Sequence, residues 1–253
     1  MKISIITVAY NSATTISDTI RSVLDQDYSE IEYIIVDGLS KDSTVNIINS
    51  FSAAFNGRLK WISEKDKGIY DAMNKGIRMA TGDVIGILNS DDYFSGPHVV
   101  SYVMQSFQNN TIDAVFGNVL FVKPNNTNKI IRRFSARGFR PWMFRFGFMP
   151  PHPSFFTRKK IYNHLGYYNH NFDISGDYEL LVRFLLIHKI KYQYINLDMV
   201  KMRTGGASTK SLKTILINNN KNVIEACRIN GVYTNIFMVS VRYFKKITEL
   251  VQL

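Results

Sequence analysis

Gly82-Asp83-Val84-Ile85-Gly86-Ile87-Leu88-Asn89-Ser90-Asp91-Asp92-Tyr93 is the stretch on which the reading of this chain turns. The apolar run Val84 to Leu88 has the pattern of a strand buried on both faces. It ends in two amide and hydroxyl side chains and a pair of adjacent carboxylates. Side chains alternate along an extended backbone, so neighbouring acids can serve different tasks, one reaching into a crevice while the other braces the turn. Like charges side by side repel. A hard cation, Mg²⁺ or Mn²⁺, held by one or two carboxylates and completed by substrate phosphates is the usual remedy. A lone Asp-Asp is more often a solvated turn, so the surrounding chain has to decide.

Upstream of that stretch, strands and helices alternate. Lys2 to Val8 is β-rich and ends in Ala9-Tyr10-Asn11-Ser12; Ile16, Ile20, Val23 and Leu24 then fall on one helical face, with Ser12 or Thr14 as N-cap. Tyr33 to Val36 is a second strand, ending at Asp37-Gly38, and a helix follows with Val45, Ile48 and Phe51 inward. Leu59 to Ile62 is a third strand. After Glu64 to Gly68, a third helix carries Ile69, Met73, Ile77 and Ala80 inward. Repetition of this unit predicts a parallel sheet with helices on both faces. Right-handed crossovers then bring all strand C-termini to one rim, where open α/β sheets bind ligands. That rim collects Tyr10, Asn11, Asp37, Asp66, Asn89, Asp91 and Asp92.

The phosphate loops of dinucleotide binders and P-loop NTPases, G-x-G-x-x-G after the first strand and G-x-x-x-x-G-K-[ST], are absent. A carboxylate rim without a glycine loop holds phosphate through a metal ion.

The segments Ser4 to Asn11, Ile34 to Gly38 with Ser40 and Asp42 to Thr44, Asp66 to Gly76, and Asn89 to Asp92 together resemble family 2 glycosyltransferases of the GT-A fold, above all the small bacterial members that build O-antigen, capsule and similar polysaccharides. The resemblance is close over the first hundred residues and looser to about Gly206. It implies an α/β fold with a Rossmann-like, mainly parallel sheet. Residues 1–206 would be the transferase domain, 1–112 its nucleotide-sugar half and 113–206 its acceptor and base half. Residues 207–253 would be a basic helical extension. Thr7, Ala9, Tyr10 and Asn11 would flank the nucleotide base, with Asp37 bonded to it and Asp66 near base or ribose. Asn89-Ser90-Asp91 stands at the D-x-D metal motif, with Asn89 in place of the first acid, so Asp91 or Asp92 would bind the metal. His152, between prolines in Met149 to Phe156, is a further site candidate and potential ligand. Gly176-Asp177-Tyr178-Glu179 matches the segment that carries the general base, at Asp177, with Asp173 as the fallback. Ser175 would cap that helix. Arg203 or Lys201, in the glycine-containing loop Val200 to Ser208, would reach the leaving diphosphate. The Q-x-x-R-W signature of processive synthases is absent.

The chain has 253 residues, 45% hydrophobic and 20% charged, which suits one large or two small globular domains. The net charge of +11 is uneven: residues 1–112 carry −4 and residues 113–253 carry +15. A basic second half points to an anionic partner: nucleic acid, an acidic bilayer or a phosphorylated acceptor. Between Arg132 and Phe148 arginines interleave with aromatics, a composition that fits base stacking, lipid headgroups, or core rings beside solvated cations. With the first half as it is, an acceptor- or membrane-facing loop is the preferred reading over nucleic acid. Lys123 to Asn128 reads as an exposed turn. Val241, Phe244, Ile247, Leu250 and Val251 form a stripe beside Arg242, Lys245 and Lys246 that would lie on an anionic membrane, dock on the domain, or join a second copy as a homodimer.

No membrane-spanning run is present, and Ile3 to Val8 reads as a strand rather than a signal peptide. The single cysteine, Cys227, excludes an internal disulfide. These features suggest a cytoplasmic enzyme, peripheral on the inner face of the membrane. It would use a UDP-sugar or similar donor, Mn²⁺ or Mg²⁺, and a lipid-pyrophosphate-linked saccharide acceptor. A sugar nucleotidyltransferase and a basic nucleic-acid-binding module are the alternatives. The first lacks its glycine-rich N-terminal signature.

Overall fold

The computed structural model describes residues 1–205 and 212–243, without the side chains of 212–218. The N-terminal half alternates as its sequence predicts: β1 (Ile3–Ala9), α1 (Ile16–Leu24), β2 (Ile31–Asp37), α2 (Thr44–Ser50), β3 (Leu59–Ser63), α3 (Ile69–Met79) and β4 (Val84–Ile87). Then follow β5 (Asp92–Phe94), α4 (Val99–Phe107), the hairpin β6 (Ala114–Lys123) and β7 (Asn126–Phe134), β8 (Phe155–Arg158), α5 (Lys159–Leu165), α6 (Gly176–Leu181), β9 (Tyr192–Arg203), α7 (Leu212–Ile229) and α8 (Ile236–Ser240). The described strands form one sheet in the order β3-β2-β1-β4-β8-β6-β9-β5, with β7 added beside β6. Strands β3, β2, β1 and β4 are parallel; β8 is antiparallel to both β4 and β6. The sheet of this α/β fold is therefore mixed.

Alternation along the strands explains the layers. On β1 and β2, Ile6, Val8, Ile34 and Val36 pack with Met73 and Ile77 of α3 and with Leu181 and Phe184 near α6. Ile3, Ile5, Tyr33 and Ile35 face the other way, onto Ile16, Ile20 and Val23 of α1 and Val103 of α4. Every β1 and β2 residue is buried, as a strand covered on both faces requires.

Several local expectations shift. Neither Ser12 nor Thr14 caps α1; the helix begins at Ile16, and the Ser12 carbonyl accepts the Thr15 and Ile16 amides. In α3, Met73, Ile77 and Ala80 are buried as expected, but Ile69 at its first position is exposed and Tyr70, three residues before Met73 and seven before Ile77, is buried in its place. The exposed turn at 123–128 shrinks to Pro124 and Asn125, since Asn126 already pairs with Lys123. Of the four aromatics from Phe139 to Phe146, Phe139 and Phe144 are core residues and Trp142 is exposed. The segment 207–253 contributes Val223, Ala226, Cys227, Val232 and Val239 to the same core as β1 and β2. Most of the stripe from Phe244 onward, and Gly206 to Ser208 of the glycine loop, lie outside the described residues.

Across the sheet from the ligand rim, Glu32 ties the strands together. It accepts from Ser4 Oγ at 2.6 Å, Lys60 Nζ at 2.8 Å, and Thr81 N and Oγ1 at 2.7 and 2.9 Å. Burial alone would raise its pKa, but these donors outweigh that and lower it to about 2. Ordinary glutamate titrates near 4.5 when unfolded, so the stabilisation is complete above that value and is lost as pH falls towards 2. Glu32→Gln should cost about 2 kcal/mol at pH 7, below the full linkage value because Lys60 is half in solvent. In urea denaturation the gap between variant and wild type should narrow steadily between pH 4.5 and 3.

Candidate active site

The strand order reverses direction between β1 and β4, so the chain diverges to either side there and leaves a crevice at their C-terminal ends. Both ends carry polar turns. After β1, Tyr10, Asn11 and Ser12 turn over the rim, with Asn11 in the left-handed region at φ +49°, which Asn tolerates better than most residues. After β4, Asn89 to Asp91 turn into β5.

A chain of hydrogen bonds joins the three strand ends. Buried Asp37 takes the Ser40 amide at 2.9 Å and Ser63 Oγ at 2.6 Å, and its other oxygen takes the Ser40 hydroxyl. Ser40 Oγ accepts the Asn11 amide at 2.8 Å, and Asn11 Oδ1 accepts the Lys41 amide at 2.9 Å. Ser12 Oγ then meets Ser90 Oγ at 2.8 Å. The turn at 89–92 is also clamped from below and behind. Thr19 Oγ1 of α1 lies 3.0 Å from the Ser90 carbonyl and 2.7 Å from that of Asp92. Arg203, one step beyond the β5–β9 pairing, donates to the Asp91 carbonyl at 2.8 Å and to Asp18, and lies over the Tyr93 ring.

Two hollows result. The first is bounded by exposed Tyr10, Gly38 and Asp66, whose Oδ1 accepts the Gly68 amide at 2.9 Å. A Cβ on Gly38 would stand 2.6 Å from Asp66 Oδ2 and 3.4 Å from the Tyr10 ring, so a side chain there would displace the Asp66 carboxylate. The second hollow gathers Asp91, Asp92, His152 and Asp177. Asp177 Oδ2 accepts His152 Nδ1 at 2.9 Å, and its Oδ1 accepts the Tyr70 hydroxyl at 3.2 Å. Gly176 makes room for that tyrosine: a Cβ there would fall 2.8 Å from the ring. Ser175 precedes the helix at φ +72° and does not cap it with its side chain; its hydroxyl goes to Asn219 of α7 at 3.2 Å. Asp173 is exposed in the loop before it.

Electrostatics divide the acids into two kinds. Burial raises the pKa of Asp91 and, together with the Asp91 charge, pushes that of Asp92 well above the carboxylate range. Burial would do the same to Asp177, but the charge and hydrogen bond of His152 overcome it and hold the pKa low. His152 in turn is raised, against its own burial, by Asp177 and then by Asp92 and Asp91. Asp177 is thus held ionised, while for Asp91 and Asp92 burial outweighs the charges of His152 and Arg203.

Those acids fit a hard divalent cation. Asn89 Oδ1 is buried with no hydrogen-bond partner, while its Nδ2 donates to Asp92 Oδ2 at 3.3 Å. An unpaired amide oxygen beside two costly carboxylates is an oxygen donor set awaiting positive charge. Among the described residues no three His, Cys, Asp or Glu side chains form a closed cage, and His152 turns Nδ1 to Asp177. The protein would supply part of a coordination shell, leaving the remainder to substrate oxygens. The candidates that stand outside the hollows are Thr7 and Ala9, both buried, Thr7 accepting the Tyr33 hydroxyl at 3.0 Å, and Arg203, which is engaged behind Asp91.

The sequence gives no role to Tyr70 or Thr19, and to Ser12 only that of a helix cap. Tyr70 and Gly176 do leave a signal: each sits in a segment that carries the resemblance, Asp66 to Gly76 and Gly176 to Glu179.

A crevice at the sheet's switch point, with paired acids on one wall and an ionised carboxylate on the other, is the site of a group-transfer enzyme built on the GT-A fold. The description "Glycosyl transferase family 2" matches residues 4–172, and the chain belongs to that family. An uncharacterised glycosyltransferase of Mycobacterium tuberculosis is 31% identical over 191 residues, which are 73% of this chain and 69% of that protein. Among solved structures, S. aureus TarS 1-349 in complex with UDP-GlcNAc superposes with a TM-score of 0.62 at 17% identity, over 89% of this chain and 66% of that one. The mannosyltransferase PcManGT from Pyrobaculum calidifontis, in complex with GDP-Man and Mn²⁺, gives 0.64 at 16% identity over 89% and 62%. A longer TarS chain is matched over only 40% of its length.

Asp92→Asn replaces a buried acid whose ionisation is opposed by burial and by the Asp91 charge. It should raise the melting temperature of the metal-free protein by about 2–4 °C. Wild type should gain comparably from millimolar Mn²⁺, and the variant should lose that gain in thermal-shift measurements.

Proposed function

We propose that this glycosyltransferase is inverting and metal-dependent, moving a sugar from a nucleotide diphosphate, UDP favoured, to a hydroxyl of a lipid-pyrophosphate-linked saccharide in cell-surface polysaccharide synthesis. The observation that carries the reading is Asp177, ionised and held by two donors, in one charge cluster with Asp91 and Asp92. The UDP-GlcNAc and GDP-Man bound by the solved neighbours support a nucleotide-sugar donor, and the Mn²⁺ of one supports the ion.

In this reading the base and ribose occupy the hollow of Tyr10, Gly38 and Asp66, with Asp37 holding the loop that shapes it. The diphosphate runs along Ser90 towards Asp91. Asp91, Asp92 and Asn89 Oδ1 would hold Mn²⁺ or Mg²⁺, which would supply positive charge to the leaving diphosphate. Asp177 accepts the proton of the acceptor hydroxyl, whose oxygen bonds to the anomeric carbon from the face opposite the diphosphate. The bond from that carbon to the diphosphate oxygen breaks with its electron pair, and configuration inverts. Tyr70 and His152 fix the carboxylate's orientation without taking the proton themselves. Arg203 acts through the Asp91 carbonyl.

Asp177→Asn keeps the shape and loses the proton acceptor. It should lower kcat by about 10²–10⁴-fold with donor binding within about twofold of wild type. Unchanged turnover would sink the assignment. Tyr70→Phe, which removes one hydrogen bond to the carboxylate, should lower kcat by about tenfold and leave donor affinity alone. Chelation should abolish transfer, and Mn²⁺ should restore it in wild type but not in Asp91→Ala.

A further inference from the structure

Away from the crevice, the back of the base helix carries a surface that the proposed chemistry does not use. The 3₁₀ turn Pro141–Phe146 and α8 lie side by side, joined where Thr234 Oγ1 donates to the Arg145 carbonyl. Phe144 and Val239 point inward and are fully buried. Outward, Phe237 is 84% exposed, Tyr233 69% and Trp142 59%, with Ile236 and Val241 also exposed. Phe237 and Val241, four residues apart in α8 and its C-cap, share one helical face, and Tyr233 stands in the segment that leads into that helix. Residues three apart eclipse in a 3₁₀ turn, so Trp142 and Arg145 share one face. Large rings so exposed and so clustered mark a docking surface.

The charge around them is of one sign. No Asp or Glu occurs between Asp113 and Asp173, a span with ten Lys and Arg, and none occurs from 226 to 243. Arg137, Arg140 and Arg145 are exposed and have no ion pair among the described residues. Rings and aliphatics ringed by unpaired arginines match an anionic bilayer: the apolar groups enter the interface and the guanidinium groups meet lipid phosphates. Single-stranded nucleic acid would use stacking faces, which Ile236 and Val241 do not have.

The surface is wired to the site. The Tyr178 hydroxyl donates to the Phe144 carbonyl, and the two rings meet edge to face at 5.4 Å, so the residue after Asp177 anchors the turn that presents Trp142. Five residues, 147–151, lead from that turn to His152. We infer that Trp142, Tyr233, Ile236, Phe237 and Val241, with Arg137, Arg140 and Arg145, form a monotopic docking face for anionic lipid that seats the catalytic crevice at the bilayer surface. The inference deepens the reading above by giving the acceptor's lipid end a surface, and rests on that reading only for this link.

The test is flotation of the full chain with phosphatidylcholine vesicles containing 0 or about 30% phosphatidylglycerol, alongside thermal-shift titration with UDP and Mn²⁺ and light scattering without vesicles. Wild type should float with the anionic vesicles. Trp142→Ser/Phe237→Ser should reduce partitioning at least about tenfold, and Arg137→Glu/Arg145→Glu should remove the dependence on phosphatidylglycerol, about fivefold per arginine. Both variants should keep the wild-type response to UDP and Mn²⁺, so a loss of nucleotide response in all three proteins would count against the active-site reading and not against the face. Wild type remaining unbound, or the Ser/Ser variant floating like wild type, would overturn the inference. So would a wild-type dimer that becomes monomeric in the Ser/Ser variant, which assigns the face to a second copy, or oligonucleotide binding lost in the same variant.

Discussion

Asp91 and Asp92 are withdrawn from water next to each other, and the first charge adds to the cost of the second. A fold tolerates this only if the backbone that presents the pair is held from all other sides. Thr19 of α1, Ser12 after β1 and Arg203 at the end of β9 do so, each from a different element, and each bonds backbone or hydroxyl rather than the carboxylates themselves. The acids are therefore left facing the crevice, with His152 and Arg203 offsetting only part of the cost of burying them. Such a cost is characteristic of functional sites, since replacing a costly buried acid ordinarily stabilises a protein. His152 extends the same logic across the crevice: its positive charge is drawn up by three acids and spent on the one that has to stay ionised.

The half of the fold written in hydrophobic period was legible in the chain. Strands β1 to β4 and their helices appear where alternation and helical spacing put them, because burial on both faces leaves an apolar run little alternative. Parallel order among them followed from the crossovers, and so did the rim. What could not be read was pairing between distant segments: β8 inserts antiparallel between β4 and β6, and β9 crosses back to β5 with Arg203 at its end. No local pattern encodes those partners. Capping failed as a guide for a related reason. Ser12 and Ser175 have good cap chemistry, yet Ser90 and Asn219, brought near by the fold, take their hydroxyls instead.

At the site, residue type was legible and role was not. Of the acids singled out, the structure places those at 66, 91, 92 and 177 in the two hollows, while Asp37 is fully buried and bonded to Ser40 and Ser63. Thr7 was misread because its position on β1 decides its direction: odd residues of that strand face α1, and Thr7 meets Tyr33 there. Tyr70 and Gly176 act as a pair, small backbone beside large ring, which becomes visible only once residues more than a hundred apart in the chain are adjacent.

The central claim is that one crevice holds the nucleotide diphosphate between the Asp91–Asp92 pair and Asp177. A crystal structure with UDP and Mn²⁺, using anomalous scattering to locate the ion, tests it most directly. The account predicts an anomalous peak within coordinating distance of Asp91 or Asp92 and of the diphosphate, with the base between Tyr10 and Asp66 and Asp177 across the cavity. A nucleotide bound elsewhere, or an ion distant from both acids, would contradict it.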